Sequence, residues 1–97
     1  MRVYRLRGDI LEELARTQLN RPTQLLWLAD RLLVADWVSN KESHAVIELE
    51  LCDARLERRC ELIAASEHIR VRSWCAVNDG LAILDSNSID ILLFSFV

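Results

Sequence analysis

Residues 79 to 96 read DGLAILDSNSIDILLFSF: an apolar run, a polar interruption and a second apolar run. A looser version, DRLLVADWVSNKESHAVIELEL, spans residues 30 to 51. Short apolar runs bounded by Asp, Asn, Ser and Gly predict strands joined by turns. Such strands are expected at residues 24–28, 31–37, 43–51, 69–77, 80–85 and 90–96, with RVYRL near the N-terminus as a further one. In 43–51, Ile47, Leu49 and Leu51 alternate with Glu48 and Glu50. In 69–77, Ile69, Val71 and Ser73 alternate with Arg70, Arg72 and Trp74. Asn78-Asp79-Gly80 is a hairpin signal, since these residues tolerate the positive φ of tight turns.

Two further segments carry a helical spacing. Residues 9–18 place Ile10, Leu11, Leu14 and Ala15 on one face behind Asp9. Residues 53–66 do the same with Leu56, Cys60, Ile63 and Ala64 behind Asp53. Both are rich in Ala, Leu, Glu and Arg, all good helix formers. As a strand, the second segment would set Leu56, Arg58, Cys60 and Leu62 against Glu57, Arg59 and Glu61.

The chain also matches itself. Asp30 to Asp36 lies on Asp79 to Asp85 at an offset of 49, and Leu49-Glu50-Leu51 lies on Phe94-Ser95-Phe96 at an offset of 45. The second copy therefore has a turn four residues shorter. The offset of 45 also carries Tyr4-Arg5-Leu6 onto Leu49-Glu50-Leu51 and residues 8–15 onto 53–60. The expectation is one domain over 1–97 with an internal repeat of about 45–49 residues, 1–36 against 46–85 and 30–51 against 79–96. A period of this size belongs to repeat architectures, propeller blades among them.

The register of the repeat resembles the blades of NHL-like, six-bladed β-propellers. The residues that carry the resemblance are Leu33-Val34-Ala35-Asp36, Asn40 and Val46-Ile47-Glu48-Leu49, then Ala82-Ile83-Leu84-Asp85-Ser86-Asn87 and Ile91-Leu92-Leu93-Phe94. Pro22 stands where such blades often carry a proline before the innermost strand. The Asn falls four residues after Asp36 but two after Asp85, and the Gly-rich outer loops of the family are absent. The resemblance implies an all-β fold of about two four-stranded, propeller-like blades of antiparallel meander. Residues 9–18 and 53–66 would then be outer blade strands. If they are helices instead, the fold is α+β with a repeated β-α-β-β unit. Two blades cannot close a ring of about four to eight. Several chains would have to assemble, or the chain would be part of a larger protein. The apolar strand DILLFSF, with no Pro or Lys guarding its edge, points the same way.

Composition narrows the function. The chain has 97 residues, 52% hydrophobic and 28% charged, which is globular. Its net charge is −3, with the 12 cations scattered among 15 acids, so a nucleic-acid footprint is not expected. No apolar run approaches the length of a membrane span, and MRVYRLRGD lacks the apolar stretch of a signal peptide. Cys52, Cys60 and Cys75 cannot pair fully within one chain and contain no CxxC. They are expected as small buried hydrophobes in a reduced, cytoplasmic or nuclear compartment.

Candidate chemistry is sparse. DSNSID (85–90) starts like a calcium loop, but Ile89 fills a ligand position and Asp90 replaces the required Gly. An Asx turn around Asp85 fits better, and no metal is expected. RGD (7–9) fits a hairpin turn. His44 and His68 stand 24 residues apart and are expected in solvated turns, with no nucleophile or orienting group beside them. No enzyme activity and no cofactor are expected. Trp27, Trp37 and Trp74 are the most informative side chains, because aromatics anchor partners as well as pack between blades. Trp37 follows Asp36 at a strand end. Trp37, Asp36, Asp85 and the pair Arg58 and Arg59 are the candidate contact residues. The expected function is a non-catalytic protein-interaction or scaffold module. Its partner would be itself or a larger propeller-containing assembly, with no nucleic acid and no membrane. A lectin-like carbohydrate-binding blade assembly and a small α+β domain of unknown activity are the alternatives.

Overall fold

The computed structural model describes residues 1–16, 18–28, 31–52 and 55–95, with backbone alone at 3, 5, 14–16, 28, 51, 52, 55, 56 and 59. Nine strands form three antiparallel meanders. The N-terminal pair is β1 (Arg2–Arg7) and β2 (Ile10–Arg16). The central sheet runs β3 (Pro22–Leu28), β4 (Arg31–Val38), β5 (Ser43–Cys52), β6 (Arg55–Ile63). The C-terminal sheet runs β7 (Val71–Val77), β8 (Gly80–Asp85), β9 (Asp90–Ser95). The fold is all-β. A three-residue 3-10 turn, Ala65–Glu67, links β6 to β7, and no described helix is long and apolar enough to cross a membrane.

Residues 9–18 and 53–66 are therefore not the expected helices: Ile10–Arg16 and Arg55–Ile63 are strands, despite their composition. β2 is held by β1 and β6 by β5 through continuous ladders. Those pairings outweigh a weak local preference, as strand propensity depends on context. The turn expected at 29–30 and the cap expected at Asp53 fall outside the described residues. The last expected strand residue, Phe96, does so too.

The strand registers repeat in detail. Tyr4↔Glu13, Arg5↔Glu12 and Leu6↔Leu11 in the N-terminal pair recur as Leu49↔Arg58, Glu50↔Glu57 and Leu51↔Leu56 in the central sheet. The register shift between Val3 and Tyr4 recurs between Glu48 and Leu49. Leu32↔Leu49 and Asp36↔Ala45 recur as Leu81↔Phe94 and Asp85↔Asp90. The shift between Pro22 and Gln24 recurs between Val71 and Ser73. β1 is thus equivalent to β5 and β9, and β2 to β6. The three sheets hold two, four and three strands.

These bulges correct the side-chain alternation read from sequence. The extra residue Arg72 moves Trp74, not Ser73, to the side of Val71, because one inserted residue reverses the face of all that follow. Shifts in β6 likewise place Arg58 and Glu61 on the face of Leu49 and Ile47, with Cys60 opposite Glu48 on the other. Cys60 and Cys75 are exposed thiols, not buried hydrophobes.

The central sheet is covered on both faces. Leu33, Ala35, Val46 and Ile63 pack with Ile69, Val71, Leu81 and Ile83 of the C-terminal sheet and its approach. Leu32, Val34, Ala45, Ile47 and Leu49 fill the opposite face, flanked by Met1 and Leu19. Each fully buried Leu, Ile or Val contributes about 1.5–3 kcal/mol relative to exposure. Between sheets, β3 lies beside β7 and β2 beside β6.

Candidate functional site

Two of the candidate residues do the same job in two sheets. Asp36 ends the buried part of β4 and accepts from the backbone N–H groups of Arg21 (2.6 Å) and Asn20 (3.1 Å), and from the Asn20 side-chain amide (3.3 Å). Asp85, 49 residues on, accepts from the Arg70 N–H (3.0 Å). The backbone bond Trp37 N–H to Arg21 C=O (2.9 Å) recurs as Ser86 N–H to Arg70 C=O (3.0 Å). Each aspartate pins the segment that leads into the first strand of its own sheet. Asp85 also accepts from Asn87 N–H (3.0 Å) and Ser88 Oγ–H (2.8 Å), closing the Asx turn. Burial pushes the Asp85 carboxyl up, but the N–H groups of Arg70 and Asn87 and the Ser88 donors outweigh it and hold the pKa below the ordinary value.

Beside Asp36, between the central and C-terminal sheets, lies an open cleft of about 420 Å³ lined by Arg21, Thr23, Gln24, Trp37, His44 and Val71. His44 is its hub. Although expected in a solvated turn, it is the second residue of β5 and only 6% exposed. Its ring Nδ1 accepts from the Val71 N–H (2.9 Å), which fixes the proton on Nε2, 3.0 Å from Thr23 Oγ1. Thr23 in turn donates to Ala35 C=O (3.3 Å). The His44 backbone N–H donates to Ile69 C=O (2.7 Å). Burial lowers the pKa of His44, partly offset by the nearby Asp36 charge. Gln24 adds a second link, its side-chain amide donating to Val71 C=O (2.7 Å) and Arg72 C=O (3.3 Å).

Trp37, half-buried, meets the His44 ring edge-on at 5.0 Å, and the Arg70 guanidinium lies 6.0 Å from its ring centroid. Arg70 itself donates from Nε to Glu42 C=O (2.8 Å). Of the candidate contact residues only Trp37 lines the cleft, with Asp36 beside it in β4 and Arg70 against its ring. Asp85 does not line it and bonds the Arg70 backbone N–H. Arg58 is not part of this group. It lies on β6, three strands from β3, exposed and paired with Glu61 at 3.1 Å. The Arg59 side chain is outside the described set.

In the cleft both ring nitrogens of His44 and the Thr23 hydroxyl are already committed, so this polar chain braces two sheets and has no free base to offer. On sequence, His44 reads as part of a solvated turn and Thr23 is not singled out, although Thr23 follows Pro22 at a strand start and His44 is the second residue of a strand that turns apolar at once. Neither feature tells which residues meet across 21 and 27 positions. Comparison of the chain with protein-family models, with curated proteins and with solved structures found no match.

Proposed function

We propose that this chain is a non-catalytic protein-interaction or scaffold module built from propeller-like blades, self-associating or joined to a larger assembly. Large apolar side chains left exposed on two sheets carry this proposal. Leu25 and Trp27 project from β3, Trp27 being 64% exposed, and Ile91 and Leu93 project from β9. Trp74, equivalent to Leu25 in the repeat, is packed against the neighbouring sheet. Exposed large apolar side chains of this kind fit an interaction surface. Exposed thiols at Cys60 and Cys75 fit a reducing compartment, cytoplasmic or nuclear.

Light scattering on the purified chain across a concentration series tests the self-associating form. Oligomers, or a mass that rises with concentration, are expected, and a stable monomer at all concentrations would overturn it. Trp37 offers little to a sugar ring, since Arg70 and His44 already occupy its surroundings. Specific glycan binding lost in Trp37→Ala would nevertheless replace the scaffold proposal with a lectin-like one.

A further inference from the structure

The cleft between the central and C-terminal sheets holds polar groups of two kinds. His44, Thr23 and the Gln24 –NH2 are engaged with the protein itself and brace β3, β5 and β7. Three other groups on its lining are not engaged. Arg21 gives its backbone N–H to Asp36, but its exposed guanidinium has no acceptor among the described residues. Gln24 Nε2 donates to two carbonyls, of Val71 and Arg72, which only an –NH2 can do, so the orientation of the amide is fixed. Its Oε1 has no donor among the described residues, and it reaches solvent, because no unbonded side-chain oxygen of a half-buried residue is sealed from water. The Trp37 indole N–H stands the same way. Arg70 and His44 lie against its ring, while Nε1 has no acceptor among the described residues.

Equivalent positions 49 or 45 residues on separate scaffold from site. Asp36 and Arg21 recur as Asp85 and Arg70, and with them the backbone bonds that shape the strand entry. Gln24, Trp37 and His44 fall instead on Ser73, Ser86 and Ile89. The residues that shape the repeated unit are kept, and those that line the cleft are particular to it. Charge points the same way. The Arg70 guanidinium donates to Glu42 C=O (2.8 Å) and lies 3.9 Å from the Glu42 carboxylate. Asp36 has its oxygens held by the N–H groups of Asn20 and Arg21. No described residue lining the cleft is acidic, so Arg21 is the cation left to a ligand.

We infer that this cleft binds a carboxylate carried close to an amide N–H. The Arg21 guanidinium takes the carboxylate, since its planar fork of donors matches two carboxylate oxygens. The Trp37 indole N–H is a second donor to it, and Gln24 Oε1 accepts from the ligand's amide. A single arginine with the buried Asp36 charge nearby favours a monoanion over a phosphate, whose second charge would be left unbalanced. At about 420 Å³ the cleft is at the small end of ligand pockets, with room for one amino-acid residue. An acidic residue within a polypeptide and a free N-acyl amino acid both carry this chemistry. The site goes beyond the scaffold role and does not depend on self-association: a monomer can hold the ligand, and an oligomer can lack it.

An NMR titration of the isotope-labelled full chain at neutral pH tests the site. The probes are N-acetyl-glutamate N-methylamide, which stands for an acidic residue in a polypeptide, and N-acetylglycine, which stands for the free compound. At least one should shift the Trp37 indole N–H saturably with a Kd of about 1 mM or below, the signal being assigned by its loss in Trp37→Phe. The tighter of the two identifies the source. N-acetyl-glutamine N-methylamide has the same shape without the charge and should bind about tenfold or more weakly than its glutamate counterpart. Arg21→Gln should weaken the glutamate probe by a similar factor, with its other amide signals in place, because the Arg21 side chain makes no bond within the described protein. The uncharged probe decides on the native chain even where the variant is unfolded. No saturable shift from either probe at about 20 mM, an equal response to the glutamine compound, or undiminished affinity in folded Arg21→Gln would overturn the site.

Discussion

Replacing His44 by alanine removes the contact that ties three elements together. The Val71 N–H, on a residue buried in the core, would lose its acceptor. An orphaned buried donor costs about 1–3 kcal/mol. Loss of the packed ring adds about 2 kcal/mol, on the low side of large-to-small aromatic changes because part of the ring faces the cleft. A total of about 3–5 kcal/mol is a large share of the 5–15 kcal/mol typical of a domain. With a urea slope near 1.5 kcal/mol/M, the unfolding midpoint should fall by about 2–3 M. His44→Gln retains an acceptor and a donor and should recover part of the loss.

The same residue sets a pH dependence. Its pKa is lowered in the folded state, so the unfolded chain binds the extra proton first. The stability linked to this residue is complete above the ordinary histidine pKa of about 6.5 and is lost as pH falls below it. Urea titrations at pH 7 and pH 5 should show a decline in the native chain that is reduced in His44→Gln. A penalty below about 1 kcal/mol in His44→Ala, or an unchanged pH decline in the glutamine variant, would refute the bracing role, since both effects need the ring neutral and bonded.

Gly80→Ala should destabilise by about 2–4 kcal/mol in the same unfolding assay, because a Cβ there would run into the Phe94 carbonyl and lie 2.9 Å from its carbon and 3.2 Å from the Ser95 Cα. Asp85→Ala strips acceptors from Arg70, Asn87 and Ser88 and should cost about 2–4 kcal/mol at pH 7 by urea titration. Its carboxyl pKa is lowered on folding, so the associated stability is full above the ordinary aspartate value and is lost as pH falls through the folded one. That acid-side loss should be smaller in the alanine variant. Arg58→Ala, by contrast, breaks a pair that is exposed on both sides and should change stability by less than about 0.5 kcal/mol.

Much of this architecture is written locally. Alternating apolar residues and Asp, Asn, Ser and Gly at the turns mark the strands, because side chains on a pleated chain face opposite ways at each step. The offsets of 49 and 45 are legible because equivalent strands must bury equivalent positions, and Asp36 and Asp85 can be paired on sequence alone. What those aspartates hold is not legible, since their acceptor bonds reach backbone 15 residues away. Residues 9–18 and 53–66 carry helical composition, and only the ladders to β1 and β5 make strands of them where they are described. Bulges at Thr23 and Arg72 reverse the faces that simple alternation assigns, which no period-two reading detects. His44 reads as an isolated polar residue until β3 and β7 are brought beside it. Its neutral tautomer, its burial and its role as a brace follow from long-range packing, where one backbone N–H and one hydroxyl are placed against its two nitrogens.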